Sequence, residues 1–325
     1  MTNALAFEVT ARNEAGEPPE ARGLARDEVR LLVADGAELH HARFLDPGDL
    51  LVVNTSGTLP AALAAGDLEL RLSTRTAPGR WLVELRTAGG DRFRDGREGD
   101  RIPLPEGRAA TLLARHAGRR LWLAQVEVDD AYLRRHGRPI RYGYVPHEWP
   151  IDAYQTVFSL EPGSAEMPSA GRPFTTELVT ELVARGVLVA PLTLHTGVSS
   201  PEHDEPPYVE RYRVPAQTAR LVNAVHGWGG RVIAIGTTVV RALETVAQPD
   251  GTIREGQGWT SHIVNPEAGV RAVDGLLTGW HEPESSHLKM LEAIAGRELL
   301  DRSYSAAQSH RYLWHEFGDV HLVLP

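Results

Sequence analysis

The segment Trp228–Val246, W-G-G-R-V-I-A-I-G-T-T-V-V-R-A-L-E-T-V, constrains the architecture of this chain more than any other. Val232–Ile235 is a short, unbroken apolar run rich in branched residues, the pattern of a strand covered on both faces. Gly236 follows, where a bulky side chain would hold another backbone or a ligand away. Thr237 and Thr238 can each cap a helix, and Val239–Glu244 carries that helix onward. Strand, glycine, threonines and helix aim free backbone N–H groups beyond the strand's end. Such a place suits a carboxylate, a phosphate or a sugar hydroxyl. Thr237 and Arg241 fall one turn apart on the same helix face. An ordinary strand-to-helix turn of an α/β core fits these residues equally well.

The α/β texture holds from Tyr154 onward. Thr175 or Thr176 caps a predicted helix Leu178–Arg185, with Glu177 in its first turn and Gly186 at its end. Val187–His195 reads as a strand with Thr193 and His195 on one face and Leu192 and Leu194 on the other. A proline-rich loop Ser199–Tyr208, a helix Pro215–Val225 and a strand Ser261–Val264 are expected next. Thr278–Ser286 reads as a loop capping a helix that runs to Gly296, and His321–Leu324 as a closing strand. Near the N-terminus, Val29–Val33 and Leu50–Val53 read as strands. Between about Ala61 and Val128 the runs become short and alternating, as in Leu68, Leu70 and Leu72, with Gly, Asp and Pro clusters between them. The predicted organisation is a barrel-like α/β body, residues 1–60 and 146–325, with a small antiparallel β-barrel domain inserted at 61–145.

Several function classes fall away on composition. The 325 residues include no cysteine, which excludes disulfides, thiolate metal sites and a cysteine nucleophile and agrees with a reducing cytoplasm. No apolar run is long enough to span a bilayer, and the N-terminus lacks a signal-peptide pattern, so no membrane partner is expected. The formal net charge of −9 argues against nucleic acid as a partner. The charge is uneven, however: Arg71–Arg120 holds twelve arginines against six acids. A basic module in an acidic body can track a phosphate backbone, although a solvated β-surface gives the same count. Ala131–Tyr144, basic and aromatic, suits base stacking and phosphate contact, or a linker back to the body.

Three segments place polar groups where strands of the body end: Thr193–Gly197, Gly236–Glu244 and Trp280–Ser286. Ligands gather at the carboxyl ends of strands in α/β sheets, so convergence of the three is expected. Taken singly, His195 also reads as a structural histidine, Glu284 and Ser285 as a helix cap, and Glu210 as a surface carboxylate. No metal site is expected. His262, His281 and His287 form no metalloprotease pattern, and Glu202–Glu205 lies in a proline-rich loop. The P-loop, the G-x-S-x-G elbow and a G-x-G-x-x-G after a strand are all absent.

Read together, the blocks G-D-L-L-V-V-N-T (Gly48–Thr55), D-A-Y-Q-T-V-F-S-L-E-P-G-S (Asp152–Ser164), T-L-H-T-G (Thr193–Gly197), R-V-I-A-I-G-T-T-V-V-R-A-L-E (Arg231–Glu244), H-E-P-E-S-S (His281–Ser286) and F-G-D (Phe317–Asp319) stand in a recognisable order. The chain resembles the S-adenosylmethionine:tRNA ribosyltransferase-isomerases of queuosine biosynthesis along nearly its whole length. The resemblance implies a barrel-like α/β body with a small inserted β-barrel. It implies transfer of the ribosyl part of S-adenosylmethionine onto an aminomethyl-deazaguanine of tRNA, with release of adenine and methionine. S-Adenosylmethionine is then a consumed co-substrate, and no resident cofactor is expected. Such a reaction needs a base, donors for the departing adenine and a clamp for the methionine end. His195 or Glu210 is the expected base. Thr237, Thr238 and Arg241 are expected to hold the donor, with His281 and Glu284 lining its ribose. Ser164, Thr193, Gly197, Gly236 and Ser285 complete the expected binding set.

The chain also departs from the family pattern. A-A-P-T-A-G-L-H-F-T is here A-E-M-P-S-A-G-R-P-F-T (Ala165–Thr175), which brings in Glu166 and puts Pro173 in place of a histidine. N-D-T-R-V-I-P-A-R is N-T-S-G-T-L-P-A-A, without either arginine. M-H-S-E keeps only its acid, Glu210, and Y-R-F-F-S-Y-G-D is Y-L-W-H-E-F-G-D (Tyr312–Asp319). A paralogue that uses S-adenosylmethionine on a small molecule or as a lyase, and an inactive RNA- or nucleoside-binding protein, are therefore the alternatives.

Overall fold

The computed structural model describes residues 7, 13–35, 38–40, 44–116, 120–199, 208–283 and 285–325. It is a mixed α/β molecule with several sheets. A nine-stranded sheet has the order Gly256–Thr260, Glu210–Val214, Leu188–His195, Leu50–Asn54, Val232–Ile235, Gly275–Gly279, Val320–Leu324, Leu31–Asp35, Glu38–His40. Its centre, from Leu188–His195 to Gly275–Gly279, is parallel throughout. Parallel strands need cover on both faces, and alternation decides which residue meets which layer. Leu50, Val52, Val232 and Ala234 pack with Val222 and Val225 of helix Ala216–Gly227 and with Val239 and Leu243 of helix Thr237–Val246. Leu51, Val53, Ile233 and Ile235 pack on the other side with Phe174 and with Leu178 and Leu182 of helix Thr176–Ala184.

A seven-stranded antiparallel sheet has the order Gly137–Arg138, Ala62–Ala65, Leu68–Ala77, Arg80–Thr87, Trp122–Val126, Ala109–Arg115, Arg101–Pro103. Leu63, Leu70, Leu72, Val83, Leu85, Leu112 and Trp122 form its own buried core. A two-stranded parallel sheet joins Ser56–Thr58 to Glu161–Ser164. It brings two chain segments a hundred residues apart to the end of the central strands.

The structure corrects several local expectations. The strand expected at Ser261–Val264 lies earlier, at Gly256–Thr260, hidden in the sequence by Gly256 and Gly258. Gly256 is there for space: a Cβ would stand 2.7 Å from Val246 Cγ1. Thr278 belongs to the strand Gly275–Gly279 rather than to a loop. Helix Ser286–Ala295 is followed by a second, Arg297–Ser309, because Gly296 turns the chain with φ 70° instead of ending the helical region. Thr237 and Thr238 do not cap their helix; its N-cap is Gly236, with no side-chain bond. Thr175 does cap, its hydroxyl accepting from Leu178 N–H at 3.1 Å. The segment read as a basic linker contains a short helix, Asp130–His136, capped by Asp129.

Candidate functional site

Because the four central strands run the same way, their carboxyl ends open on one edge of the sheet. Asn54–Ser56, His195–Gly197, Gly236–Thr238 and Gly279–His281 meet there. Asn54 ties the edge together. Its Nδ2 donates to Leu194 O at 2.8 Å and Thr238 Oγ1 at 3.2 Å, and its Oδ1 accepts from Leu194 N–H at 3.0 Å and Ser56 N–H at 3.1 Å. Thr238, the second residue of its helix and so already past the cap position, is thereby held from outside that helix.

His195 ends its strand half-buried. Ser56 Oγ lies 2.7 Å from His195 Nδ1 and 2.6 Å from Ser164 Oγ, and Thr196 N–H donates to Ser164 Oγ at 3.0 Å. The ring lies against Gly163, where a Cβ would stand 2.4 Å from Nδ1. Burial pulls the imidazole below its usual range, with Glu161 opposing and Arg211 and Arg213 assisting. Thr193 turns into the sheet, its hydroxyl 3.0 Å from Thr55 Oγ1 and donating to Glu161 Oε1 at 3.3 Å.

Glu210 is buried, at 9% exposure, which overturns its reading as a surface carboxylate. Helix Thr237–Val246 is covered on nearly every face, so its charged residues need internal partners. Arg241 Nη1 pairs with Glu210 Oε2, and Gly197 N–H donates to Glu210 Oε1 at 2.8 Å. Arg241 also donates to His262 O at 3.2 Å and Tyr208 O at 3.3 Å. Both carboxylate oxygens are thus engaged, and Glu210 anchors Arg241 and the turn at Gly197. Glu244 accepts from the N–H groups of Arg271 and Ala272, each at 2.8 Å.

On the other side of the edge, His281 Nε2 lies 2.8 Å from Thr278 Oγ1, and its ring stacks on His287 at 4.5 Å. Ser285 caps the following helix, accepting from His287 N–H at 3.2 Å, as the sequence suggested. Burial holds His281 well below the usual range and His287 at about 4, the latter helped by the charge of Arg241. Glu284 lies outside the described residues, as does the Glu202–Glu205 cluster.

Sequence reasoning passed over the companions of these residues. Asn54 and Ser56 gave no pattern of their own. Glu166 and Glu316 both stand in segments that depart from the family pattern, which was the available signal. Glu166 accepts from Tyr142 OH, from Ser199 N–H at 2.6 Å and from the Ser199 hydroxyl, and its carbonyl accepts from Thr196 Oγ1 at 2.6 Å. Glu316 accepts from Tyr144 OH. The rings of Tyr142 and Tyr144 stack at 5.8 Å, and Tyr144 stacks on His315 at 3.8 Å. Burial raises Glu166 and lifts Glu316 to about 7.

The basic module is less available than its count suggests. Arg71 and Arg120 are buried, and Arg120 and Arg86 both pair with Glu84. A cleft of about 460 Å³ is lined instead by Arg134, Arg138, Arg141 and Trp149, together with Glu69, Glu148, Thr58 and Pro162. Among the described residues, no group of three or more His, Asp or Glu is placed to hold a metal ion. None of the helices described is long and apolar enough to cross a membrane.

Residues 2–323 match the sequence profile of a family described as "Queuosine biosynthesis protein". A relative from Symbiobacterium thermophilum, named S-adenosylmethionine:tRNA ribosyltransferase-isomerase, is 37% identical over 324 residues, spanning 92% of this chain and 94% of its own. A relative of the same name from Geobacter metallireducens is 35% identical, spanning 98% of each chain. The crystal structure of a Thermotoga maritima protein, titled S-adenosylmethionine tRNA ribosyltransferase, superposes with a TM-score of 0.55 at 29% identity, over 98% of this chain and 99% of that one. With the profile matched almost end to end, this chain belongs to the queuosine biosynthesis protein family.

Proposed function

We infer that this protein is a ribosyltransferase-isomerase. It moves the ribosyl part of S-adenosylmethionine onto a 7-aminomethyl-7-deazaguanine base in tRNA, with release of adenine and methionine. The observation that carries this reading is the meeting of the T-L-H, G-T-T-x-V-R and W-H segments at the carboxyl edge of four parallel strands. In this proposal the helix start at Gly236–Thr238 presents backbone N–H groups to an anionic or hydroxylated part of the donor. Arg241 supplies fixed positive charge behind it, with Glu210 as its anchor rather than as a base. Ser164, Thr193 and Gly197 shape the wall around His195, and His281 and Ser285 line the ribose. S-Adenosylmethionine is consumed, and the proposed reaction uses no resident cofactor or metal.

The finer architecture belongs to the same proposal. The body, residues 1–60 and 146–325, is barrel-like, and the inserted module 61–145 curls around its own core as a small β-barrel. Transfer RNA lies along the cleft beside Arg134, Arg138 and Arg141, and the protein works in the cytoplasm. A second reading, the same donor with a small-molecule acceptor, is favoured by the departures from the family pattern at Ala165–Thr175 and Tyr312–Asp319, which bring in Glu166 and Glu316.

Adenine release from S-adenosylmethionine by the purified protein tests both readings. Release only with tRNA carrying the aminomethyl-deazaguanine base supports the first. Release without RNA supports the second. Absence of release in either case, with tight donor binding, defeats both.

A further inference from the structure

The buried hydroxyls beside His195 have only one arrangement that satisfies them. Ser56 and Ser164 are fully buried, so no solvent meets either hydroxyl. Thr196 N–H can only donate, and it occupies Ser164 Oγ as an acceptor. Among the described residues the remaining partner of Ser164 Oγ is Ser56 Oγ, at 2.6 Å, so the Ser164 proton points there. Ser56 Oγ has accepted in turn, and its own proton points to His195 Nδ1 at 2.7 Å. The reverse polarity would leave the Ser164 O–H buried without an acceptor, a costly state for a polar group. The chain of donors runs one way: Thr196 N–H, Ser164, Ser56, His195 Nδ1.

We propose that Ser164 and Ser56 are positioning residues that fix His195 as the tautomer with a bare Nδ1 and a protonated Nε2. His195 then acts toward the donor substrate as a neutral hydrogen-bond donor and not as a base. The proposal rests on the reading that the carboxyl edge receives S-adenosylmethionine. Nδ1 is taken by Ser56, and among the described residues Nε2 has no hydrogen-bond partner. A neutral imidazole serves well as an electrophile toward a lone pair, such as that of a ring oxygen or of the departing base. The packing of the ring on Gly163 holds it in this orientation, since that face leaves no room even for a methyl group. Burial keeps the ring uncharged in the neutral range, which the relay requires.

Two measurements decide this. Nitrogen-15 spectra of histidine-labelled protein without substrate, with His195 assigned by its loss in His195→Gln, read the tautomer directly. A bare Nδ1 and protonated Nε2 are expected, with a tautomer mixture in Ser164→Ala; a protonated Nδ1 in the wild type overturns the proposal. In the adenine-release assay, His195→Gln keeps an N–H at similar reach but no basic nitrogen. It should retain well over 10-fold more kcat than His195→Ala, while Ser164→Ala loses on the order of 5- to 10-fold in kcat, the worth of one hydrogen bond. Equal loss in His195→Gln and His195→Ala contradicts the donor role. If the wild type releases no adenine, the proposed function falls, and the spectra still decide the tautomer.

Discussion

Replacing Arg241 by methionine isolates the buried pair on which the edge is built. Arg241 is 7% exposed and Glu210 9%, so water screens neither. Removal of the guanidinium leaves the Glu210 carboxylate, among the described residues, with Gly197 N–H as its remaining donor and takes their Arg241 donors from the carbonyls of Tyr208 and His262. Orphaning one member of a buried pair costs about 3–5 kcal/mol, mostly as the penalty of an unpaired buried charge. Arg241→Met should therefore lower the unfolding free energy by about that amount. The double variant Arg241→Met/Glu210→Gln should recover at least half of the loss, because the buried charge is gone while Gly197 keeps an acceptor. Urea denaturation followed by tryptophan fluorescence reads both differences. A single variant within about 1 kcal/mol of the wild type, or a double variant no more stable than the single one, would refute this account of the edge.

Gly163→Ala should abolish most adenine release while leaving far-UV circular dichroism unchanged, since the new Cβ falls 2.4 Å from His195 Nδ1 and must displace the ring; wild-type turnover would argue that the ring position does not matter. Gly236→Ala places a side chain at φ 99°, ψ 153°, backbone that only glycine adopts readily, and should cost about 1–3 kcal/mol in chemical denaturation. His321 is fully buried and stacked on Trp280, and burial pulls its folded pKa to about 3, below the ordinary value of about 6.5. The unfolded chain thus takes up a proton that the folded chain refuses, so this contribution is intact above about pH 6.5 and is lost as pH falls toward 3. Melting temperatures of His321→Phe should fall less steeply than those of the wild type across that window.

The central element was legible because its signals are local. Val232–Ile235 and Thr237–Val246 fall where the apolar run and the helical spacing place them. The same holds for Leu50–Asn54, for the strand ending at His195 and for the alternating strands of the second sheet. Strands lacking such a run were missed. Gly256–Thr260 and Gly275–Gly279 rely on glycines that make room for Val246 and Leu324, and a glycine carries no hydrophobic signal. The site divides in the same way. The convergence of His195, Gly236 and His281 followed from strands ending in polar residues. The Glu210–Arg241 pair did not, because two charges 31 residues apart reveal their pairing only when the helix is seen to be buried. Asn54 and Ser56 were equally silent, and Ser164 was expected only as a binding residue: their importance lies in hydrogen bonds between segments that the two-stranded sheet brings together.

The account stands most directly on what happens to the tRNA. After incubation with S-adenosylmethionine, nucleosides digested from tRNA carrying the aminomethyl-deazaguanine base can be weighed by mass spectrometry. The account predicts that this nucleoside gains the ribosyl-derived epoxycyclopentanediol, with one adenine released for each base converted. Adenine release with no gain of mass on the tRNA would contradict it and assign the donor's ribosyl group to another acceptor.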